Sequence, residues 1–231
     1  MQKIGVVVTV YNLQDYVEEC VNSILDQEYD NLDIVIVDDG STDASPAICN
    51  RIAKQNKRVK VIHQSNQGPI VARLNGANAL RTQYISFVDG DDWIKTELYS
   101  DIVKSGYLGK ADIIDFGIMR NDNGIFKAGL YEKNKMIKEI IPKMLWYKSS
   151  YGLDPSICSK IIKRELFIAQ IKAIKDLKIH YGEDAAVIYP MVLNAQNIAI
   201  IGRCYYFHRQ RKNNVLPGYI SDCYYYDKVY K

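Results

Sequence analysis

Four short runs of β-branched and aromatic residues recur through the first hundred residues, and segments with helical spacing of apolar side chains separate them. The runs occupy residues 4–10, 32–37, 59–63 and 84–88. Runs of this length and composition predict buried strands, and strands that alternate with helices form parallel sheets through right-handed crossovers. The pattern therefore predicts an α/β fold with a mostly parallel central sheet and helices on both faces.

Clustered acidic residues follow two of these predicted strands. They are Asp38 and Asp39 after the second run, and Asp89, Asp91 and Asp92, interrupted by Gly90, after the fourth. The carboxyl ends of parallel strands meet at the ligand-binding edge of an α/β sheet, where clustered carboxylates repel one another unless a cation or a donor-rich ligand neutralises them. Oxygen ligands of this kind predict Mg²⁺ or Mn²⁺. The alternative is an ordinary solvated turn, which Asp and Gly also favour.

The polar stretch after the second run has a partly structural interpretation. Asp43 or Ser45 can cap a helix that begins near Pro46, because short oxygen-bearing side chains bond the first free N–H groups of a helix. Capping gives no structural reason for Asp38 and Asp39. These two carboxylates therefore stay candidate ligand contacts.

Length, charge and composition restrict the class of protein further. The 231 residues are 48% hydrophobic, enough for one sizeable core, and we expect a single domain over 1–231. Thirty Lys and Arg against 27 Asp and Glu give a net charge of +3, which argues against nucleic acid as a partner. No apolar run predicts a signal sequence or a membrane span. The five scattered cysteines predict reduced, mostly buried thiols in a cytoplasmic protein.

The second half of the chain is predicted to be less regular. Its predicted elements are a helix at about 96–107, a strand at 112–119, a hairpin at Asn123-Gly124, a helix through Met136, Ile140 and Leu145, a helix opened by the polar cluster 181–184, and a strand at 198–207.

Five motifs, taken in order along the chain, resemble family 2 glycosyltransferases of the GT-A fold. They are Val-Thr-Val-Tyr-Asn at 8–12, Val-Asp-Asp-Gly-Ser-Thr-Asp at 37–43, Asn66-Gln67-Gly68 followed by Ala72-Arg73, Asp-Gly-Asp-Asp-Trp at 89–93, and Gly182-Glu183-Asp184. One departure is Leu74, because the family usually has Asn directly after the arginine. The resemblance implies a Rossmann-like nucleotide-sugar-binding half, 1–95, and an acceptor-side half, 96–231, which relatives commonly extend at the carboxyl end.

The resemblance also implies a nucleotide site at the edge of the sheet. The residues that match it are Thr9, Tyr11, Asp39, Arg73 and Asp89. The first four would surround the base and ribose, and Asp89 would reach the ribose or a water on the metal. An Asp39 carboxylate that accepts the imide N–H of uracil would favour a uridine donor.

Metal, base and diphosphate contacts follow from the same resemblance. Asp91 matches the metal ligand that meets the diphosphate, and Asp184 matches the catalytic base, with Glu183 as its nearest rival. The end of the last predicted strand supplies candidate diphosphate contacts: His208, Arg209 and Arg211.

The implied activity is inverting transfer of a sugar from a UDP-sugar to a hydroxyl of a glycan, a lipid-linked glycan or a cell-surface polysaccharide, with Mn²⁺ or Mg²⁺ as cofactor. The protein would be cytoplasmic. Its tyrosine-rich C-terminal part predicts either a core-facing amphipathic helix or a surface for peripheral contact at the inner face of the membrane or with a partner. A sugar nucleotidyltransferase would need a glycine-rich basic loop after the first strand, and residues 8–12 contain neither Gly nor Lys. A catalytically silent nucleotide-sugar-binding domain is the remaining alternative.

Overall fold

The computed structural model describes residues 2–116, 128–141, 155–174 and 182–209, and its first half follows the predicted alternation. The elements of this half are β1 (Ile4–Val10), α1 (Val17–Leu25), β2 (Leu32–Asp38), α2 (Ser45–Gln55), β3 (Val59–His63), α3 (Pro69–Ala79) and β4 (Tyr84–Asp89). All four strands lie within one residue of their predicted bounds, because polar residues terminate each run. The strands β1, β2 and β4 are largely buried as predicted, whereas β3 is only partly buried because it forms the edge of the sheet.

The second half contains shorter elements. They are β5 (Trp93–Ile94), α4 (Leu98–Lys104), β6 (Ile113–Asp115), β7 (Gly129–Glu132), α5 (Lys133–Lys135), a π-helical segment (Met136–Ile140), β8 (Lys160–Lys163), α6 (Arg164–Ile174), α7 (Glu183–Asn194), β9 (Asn197–Ile200) and β10 (Tyr206–Phe207).

Two features of the second half differ from the prediction. The single strand predicted at 198–207 is wrong, because Gly202 takes a φ of 70° and separates β9 from β10. The sequence pattern does not predict β8, since Lys160 and Lys163 interrupt its apolar run. The hairpin at Asn123-Gly124, the end of the strand at 117–119 and the helix position Leu145 lie outside the described residues.

One eight-stranded sheet runs through both halves in the order β3-β2-β1-β4-β8-β6-β9-β7. The strands β1 to β4 are parallel to one another. The strand β8 lies antiparallel between β4 and β6, whereas β6 and β9 are parallel and β7 closes the edge antiparallel to β9. The predicted α/β class with a mostly parallel sheet is confirmed, and the antiparallel strands all belong to the second half.

The order of the first four strands places helices on both faces. The chain moves outward from β1 to β3 and then crosses back to β4, so right-handed connections put α3 on the face opposite α1 and α2. Accordingly α1 packs on α2, while α3 packs on β1, β2 and α6. The close approach of α3 needs Gly76, because a Cβ there would lie 2.4 Å from Cγ1 of Val7.

Among the described residues, no helix has both the length and the apolar character needed to span a bilayer. The longest described helix, α7, has 12 residues, and a span needs about 20.

Three cysteines match the expectation of buried thiols: Cys20, Cys49 and Cys158 are free. The expectation is wrong for Cys204, which is disulfide-bonded.

Candidate active site

The predicted site residues begin where β1 and β4 end side by side. Thr9 is the register partner of Asp89, and the Thr9 hydroxyl donates to Asp89 Oδ1 over 3.0 Å. The next amide, that of Gly90, donates to the carbonyl of Thr9 over 2.9 Å. The two strand ends are therefore joined by both side-chain and backbone bonds.

Arg73 on α3 joins this strand end to a distant part of the chain. Its Nη2 donates to Asp89 Oδ1 over 3.0 Å, and its Nη1 donates to Asp184 Oδ1 over 2.9 Å. The side chain is buried, and although burial opposes the charge, Asp89 and Asp184 raise the pKa of Arg73 further above its ordinary value. Arg73, Asp89 and Asp184 thus form one charged cluster, although they lie up to 111 positions apart in the sequence.

Asp184 stands in the first turn of α7. The turn before it depends on Gly182, whose φ of 74° is in the left-handed region that favours glycine. The Ile157 amide donates to Asp184 Oδ2 over 3.2 Å, so both carboxylate oxygens are held. The position of Asp184 at the start of a helix matches the sequence prediction.

The two carboxylates that share Arg73 have opposite pKa shifts. Burial raises the pKa of Asp184, and the Arg73 charge only partly offsets this. Burial would also raise the pKa of Asp89, but Arg73 and the Thr9 and Cys158 donors outweigh it, and that pKa is lowered. A neighbouring pair with diverging pKa values is the arrangement in which one carboxylate stays ionised and the other is the stronger base.

Two buried thiols border Asp89, and no sequence motif indicated either contact. The Cys158 thiol donates to Asp89 Oδ2 over 3.4 Å, and the Cys20 thiol donates to the Asp89 carbonyl over 3.4 Å. Burial raises the pKa of each thiol well above its usual range, so both remain protonated donors. They support Asp89 as neutral groups.

Asp39 lies at the end of β2 and is already hydrogen-bonded within the chain. Its Oδ1 accepts from Gln64 Nε2 at 2.7 Å and from the Gln67 amide at 2.9 Å, and its Oδ2 accepts from the Gly68 amide at 2.8 Å. Asn75 donates to Gln64 Oε1 over 2.7 Å and thereby fixes that amide. A carboxylate has about four acceptor positions, so these bonds leave one on Oδ2.

Tyr11 is exposed near the candidate site, whereas Leu74 is buried. Tyr11 projects from the loop after β1 with 49% of its surface exposed, beside the strand ends. Leu74, at the family's usual Asn position, packs in the core. The polar contact made from this part of α3 comes from Asn75, one residue further on.

Asp38 has a structural role that the sequence did not reveal. It is buried, it accepts from the Ser41 amide over 3.1 Å, and its Oδ2 lies 2.8 Å from Nδ1 of His63. The inference that Asp38 lacks a structural reason was therefore wrong. The partner, His63, is the residue that pairs with it across β2 and β3.

The loops after β1 and β2 are bonded to each other. The Asn12 amide donates to the Ser41 hydroxyl, the Leu13 amide to the Ser45 hydroxyl, and the Gln14 amide to the Asp43 carboxylate. Ser45 therefore does not cap α2 as predicted, because its oxygen faces the other loop. Asp43 does accept the Ser45 amide at 2.9 Å, at the start of that helix.

The acidic loop after β4 directs its carboxylates differently. Asp92 is buried, its Oδ2 accepts from the Tyr206 hydroxyl at 2.6 Å, and its Oδ1 accepts from the Arg209 amide at 2.7 Å. Burial, reinforced by the Asp89 and Asp91 charges, raises the pKa of Asp92 to about 8. Asp91 is half-buried. Within the described ranges, no three His, Cys, Asp or Glu side chains are arranged to hold a metal by themselves.

Of the three candidate diphosphate contacts, His208 and Arg209 lie among the described residues. His208 is half-buried just after β10. The Arg209 guanidinium lies 4.7 Å from the Trp93 ring and 5.1 Å from the Tyr16 ring, donates to the Asp91 carbonyl over 2.8 Å, and pairs with Glu19. Arg211 lies outside the described residues.

Comparison with solved structures gives the same fold. The chain superposes on S. aureus TarS in complex with UDP-GlcNAc with a TM-score of 0.68, at 24% identity, over 92% of this chain and 60% of that one. It superposes on the mannosyltransferase PcManGT from Pyrobaculum calidifontis, in complex with GDP-Man and Mn²⁺, with a TM-score of 0.65 at 16% identity, over 92% and 58% of the two chains. The TM-scores establish a shared architecture, and at identities this low the likeness concerns the fold alone.

Comparison of sequences gives the family. Glycosyltransferase EpsJ of Bacillus subtilis is 27% identical over 226 residues, which cover 92% of this chain and 62% of EpsJ. Glycosyltransferase GlyG of Streptococcus pneumoniae is 31% identical over 229 residues, which cover 92% of this chain and 72% of GlyG. The profile of "Glycosyl transferase family 2" matches residues 5–168. The chain therefore belongs to glycosyl transferase family 2.

Proposed function

We propose that this chain transfers a sugar, with inversion, from a UDP-sugar to a hydroxyl group of a glycan, a lipid-linked glycan or a cell-surface polysaccharide. The observation that carries the proposal is the Arg73 bridge between Asp89 and Asp184. It sets a carboxylate with a raised pKa beside one with a lowered pKa at the edge where α/β sheets bind ligands.

In this proposal the nucleotide lies against Thr9, Tyr11, Asp39, Arg73 and Asp89. The exposed Tyr11 ring can stack on a base, and the remaining acceptor position on Asp39 Oδ2 can take one N–H, which suits the imide of uracil. TarS is solved with UDP and with UDP-GlcNAc, which favours uridine. PcManGT is solved with GDP-Man, so guanosine is the comparison that the experiment must include.

A divalent metal fits this site through Asp91. Mg²⁺ and Mn²⁺ in nucleotide sites are commonly held by one or two carboxylates, with water and phosphate oxygens completing the shell, so a ready set of three protein ligands is not required. The half-buried Asp91 suits this role, while Asp92 turns inward and Asp89 is neutralised by Arg73. When bound, Mn²⁺ or Mg²⁺ would stabilise the charge of the departing diphosphate.

Asp184 acts as the general base. It accepts the proton of the acceptor hydroxyl while that oxygen bonds to the anomeric carbon from the face opposite the diphosphate, and the bond between that carbon and the diphosphate oxygen breaks. One displacement inverts the anomeric centre. The raised pKa of Asp184 makes it the stronger base of the pair. His208, Arg209 and Arg211 stay candidate diphosphate contacts, and membrane contact through the tyrosine-rich C-terminal part stays a prediction.

The proposal is tested by calorimetry with UDP, GDP and CDP, each with Mn²⁺ and with chelator, on the wild type and on Asp91→Asn. We expect UDP to bind at least about tenfold more tightly than CDP, because cytosine lacks the imide N–H and would leave the buried Asp39 carboxylate without that partner. Guanine has N–H donors of its own, so GDP tests whether the site also selects a pyrimidine by size. We expect Mn²⁺ to tighten UDP binding only when Asp91 is present. Equal affinity for GDP and UDP would contradict the uridine assignment.

Turnover is tested separately by the release of UDP from UDP-sugars. In the calorimetry, Asp39→Asn, which keeps the shape of the side chain, should weaken UDP binding but leave the Mn²⁺-dependent gain in UDP affinity unchanged. Metal-dependent UDP binding without transfer to any acceptor in a panel of glycans and lipid-linked glycans would favour the silent binding domain.

A further inference from the structure

A short strap formed by residues 205–209 holds the acidic loop after β4. Within it, β10 pairs antiparallel with β5, and Phe207 stacks on Trp93 with 5.2 Å between ring centroids and a 5° angle between planes. The Lys95 amide also donates to the Tyr205 carbonyl over 2.8 Å. The strap is thus fixed to residues 93–95, directly after the loop.

The Tyr206 hydroxyl contacts the loop at two points. It accepts from the Asp89 amide over 3.1 Å and donates to Asp92 Oδ2 over 2.6 Å. One hydroxyl therefore joins the first and last residues of the Asp89–Asp92 loop. The side chain is buried, so water does not replace these bonds readily.

Arg209 holds the middle and the end of the same loop. Its Nε donates to the Asp91 carbonyl over 2.8 Å, and its amide donates to Asp92 Oδ1 over 2.7 Å. The guanidinium is itself fixed over the Trp93 and Tyr16 rings and by Glu19. A planar guanidinium stacked between rings is a rigid donor.

Other contacts complete the hold on the loop backbone. The Gly90 amide donates to the Thr9 carbonyl, the Asp92 amide to the Asp89 carbonyl, and the Cys20 thiol to that same carbonyl. Together with Tyr206 and Arg209, these bonds hold the loop through its backbone and through Asp92, and so bear on where Asp91 is placed.

We infer that Tyr206 is a positioning residue for the metal–diphosphate site, and that its hydroxyl, with Arg209, holds the Asp89–Asp92 loop so that Asp91 meets a metal in one geometry. The inference rests on the proposed function, which assigns the metal to Asp91. Tyr206 acts through the loop and does not touch the nucleotide. A metal held by one protein carboxylate depends strongly on how that carboxylate is placed.

The test compares Tyr206→Phe with Tyr205→Phe. Both changes remove one hydroxyl that donates to a carboxylate from a buried tyrosine, but Tyr205 bonds Asp101 on α4, away from the loop. Calorimetry with UDP, in chelator and in Mn²⁺, gives the metal-dependent gain in affinity. We expect Tyr206→Phe to lose about tenfold of that gain, because two buried bonds are broken. The UDP affinity in chelator should stay within about twofold of wild type in both variants.

Each of the other possible outcomes overturns either the positioning role of Tyr206 or the assignment of the metal to Asp91. If Tyr206→Phe keeps the metal-dependent gain of Tyr205→Phe, the positioning role is wrong while the metal assignment stands. An equal loss of UDP affinity in chelator would make Tyr206 a general support of the nucleotide site and would also overturn the inference. Absence of any gain in the wild type would overturn the assignment of metal to Asp91, and the inference with it.

Arg209→Ala supplies a second variant, should Tyr206→Phe unfold at a much lower temperature than Tyr205→Phe. It removes the bond to the Asp91 carbonyl and keeps the Arg209 amide. A selective loss of the metal-dependent gain supports the inference. If Arg209→Ala weakens UDP binding in chelator more than it weakens UMP binding, Arg209 is a direct diphosphate contact and its positioning role is overturned.

Discussion

At the scale of single residues, the same guanidinium gives two aspartates different chemistry. Asp89 accepts from Arg73, Thr9 and Cys158, and its pKa is lowered because these donors outweigh burial. Asp184 accepts from Arg73 and one amide, and burial leaves its pKa raised. Asp89 receives more donors, whereas the neighbouring Asp89 and Glu183 charges raise the pKa of Asp184 further.

The base assignment predicts separate fates for two neighbouring acids. Asp184→Asn should lower the rate of transfer by about 10²–10⁴-fold, since an amide cannot accept the proton, while UDP affinity changes little. Glu183→Gln is the matched control, because it makes the same chemical change one residue earlier and should retain transfer. The measurement is the initial rate of UDP release with a working acceptor, beside calorimetry with UDP. Loss of transfer in Glu183→Gln alone would move the base to Glu183.

At the scale of secondary-structure elements, α3 reaches the site because it packs closely on β1. Gly76 permits that approach, and Arg73 lies one turn earlier on the same helix. A Cβ at Gly76 would also lie 3.1 Å from Cγ2 of Val37 on β2. Packing in the core and placement of Arg73 thus depend on the same contact.

Gly76→Ala should lower the free energy of unfolding by about 1–3 kcal/mol, because overpacking outweighs the better helix propensity of alanine. Asn78→Ala on the exposed side of α3 should instead leave stability unchanged or raise it by about 0.5 kcal/mol. Urea denaturation of both variants measures the difference. Equal stability of Gly76→Ala and the wild type would show that α3 shifts without cost.

The elements of the first half could be predicted because each strand is a short run of mostly β-branched and aromatic residues between polar ends, and only the edge strand β3 is less buried than predicted. The strand β8 could not, since its Lys160 looks like a surface residue. In the fold, Lys160 is fully buried, and its Nζ donates to the Ser156 carbonyl and the Ser159 hydroxyl and lies 3.8 Å from Asp115. Only tertiary contacts reveal that partner set.

The sequence motifs indicate which residues belong to the candidate site, but they do not predict the contacts that those residues make. The motifs indicate Arg73, Asp89 and Asp184, and the fold brings them together. The inward turn of Asp92 and the internal bonds of Asp38 depend on Tyr206 and His63, which are far away in sequence or on another strand. No local pattern in a single sequence separates these buried acids from the half-buried Asp91.

At the scale of the whole molecule, Asp112 joins three strands of the second half. It pairs with Lys163 on β8 at 2.7 Å and accepts from the amides of Gln196 and Asn197 at the start of β9. Burial alone would raise the pKa of Asp112, but Lys163 and these amides outweigh it, and the pKa is lowered. Folding therefore favours the ionised form.

Asp112→Asn should reduce the dependence of stability on acid pH. A lowered pKa contributes stability that is present above the unfolded pKa of about 3.9 and is lost as pH falls through the folded value. The free energy of unfolding of the wild type should therefore fall below about pH 4, and that of the variant should fall less. Asp33→Asn, which breaks the exposed pair with Lys3, is the control and should follow the wild type. Parallel curves for Asp112→Asn and the wild type would contradict the prediction.

The position of β8 has a consequence for synthesis of the chain. The outer edge of β4 is paired by residues 161–163, which are made long after β4 itself. At about 5–20 residues per second, the intervening stretch of roughly 75 residues takes about 4–15 s to emerge from a ribosome. During that interval an apolar strand with unpaired N–H and C=O groups can pair with a second nascent copy. Truncations that end before β8 should for this reason accumulate as aggregates, and holdase chaperones should bind the chain at this stage of translation.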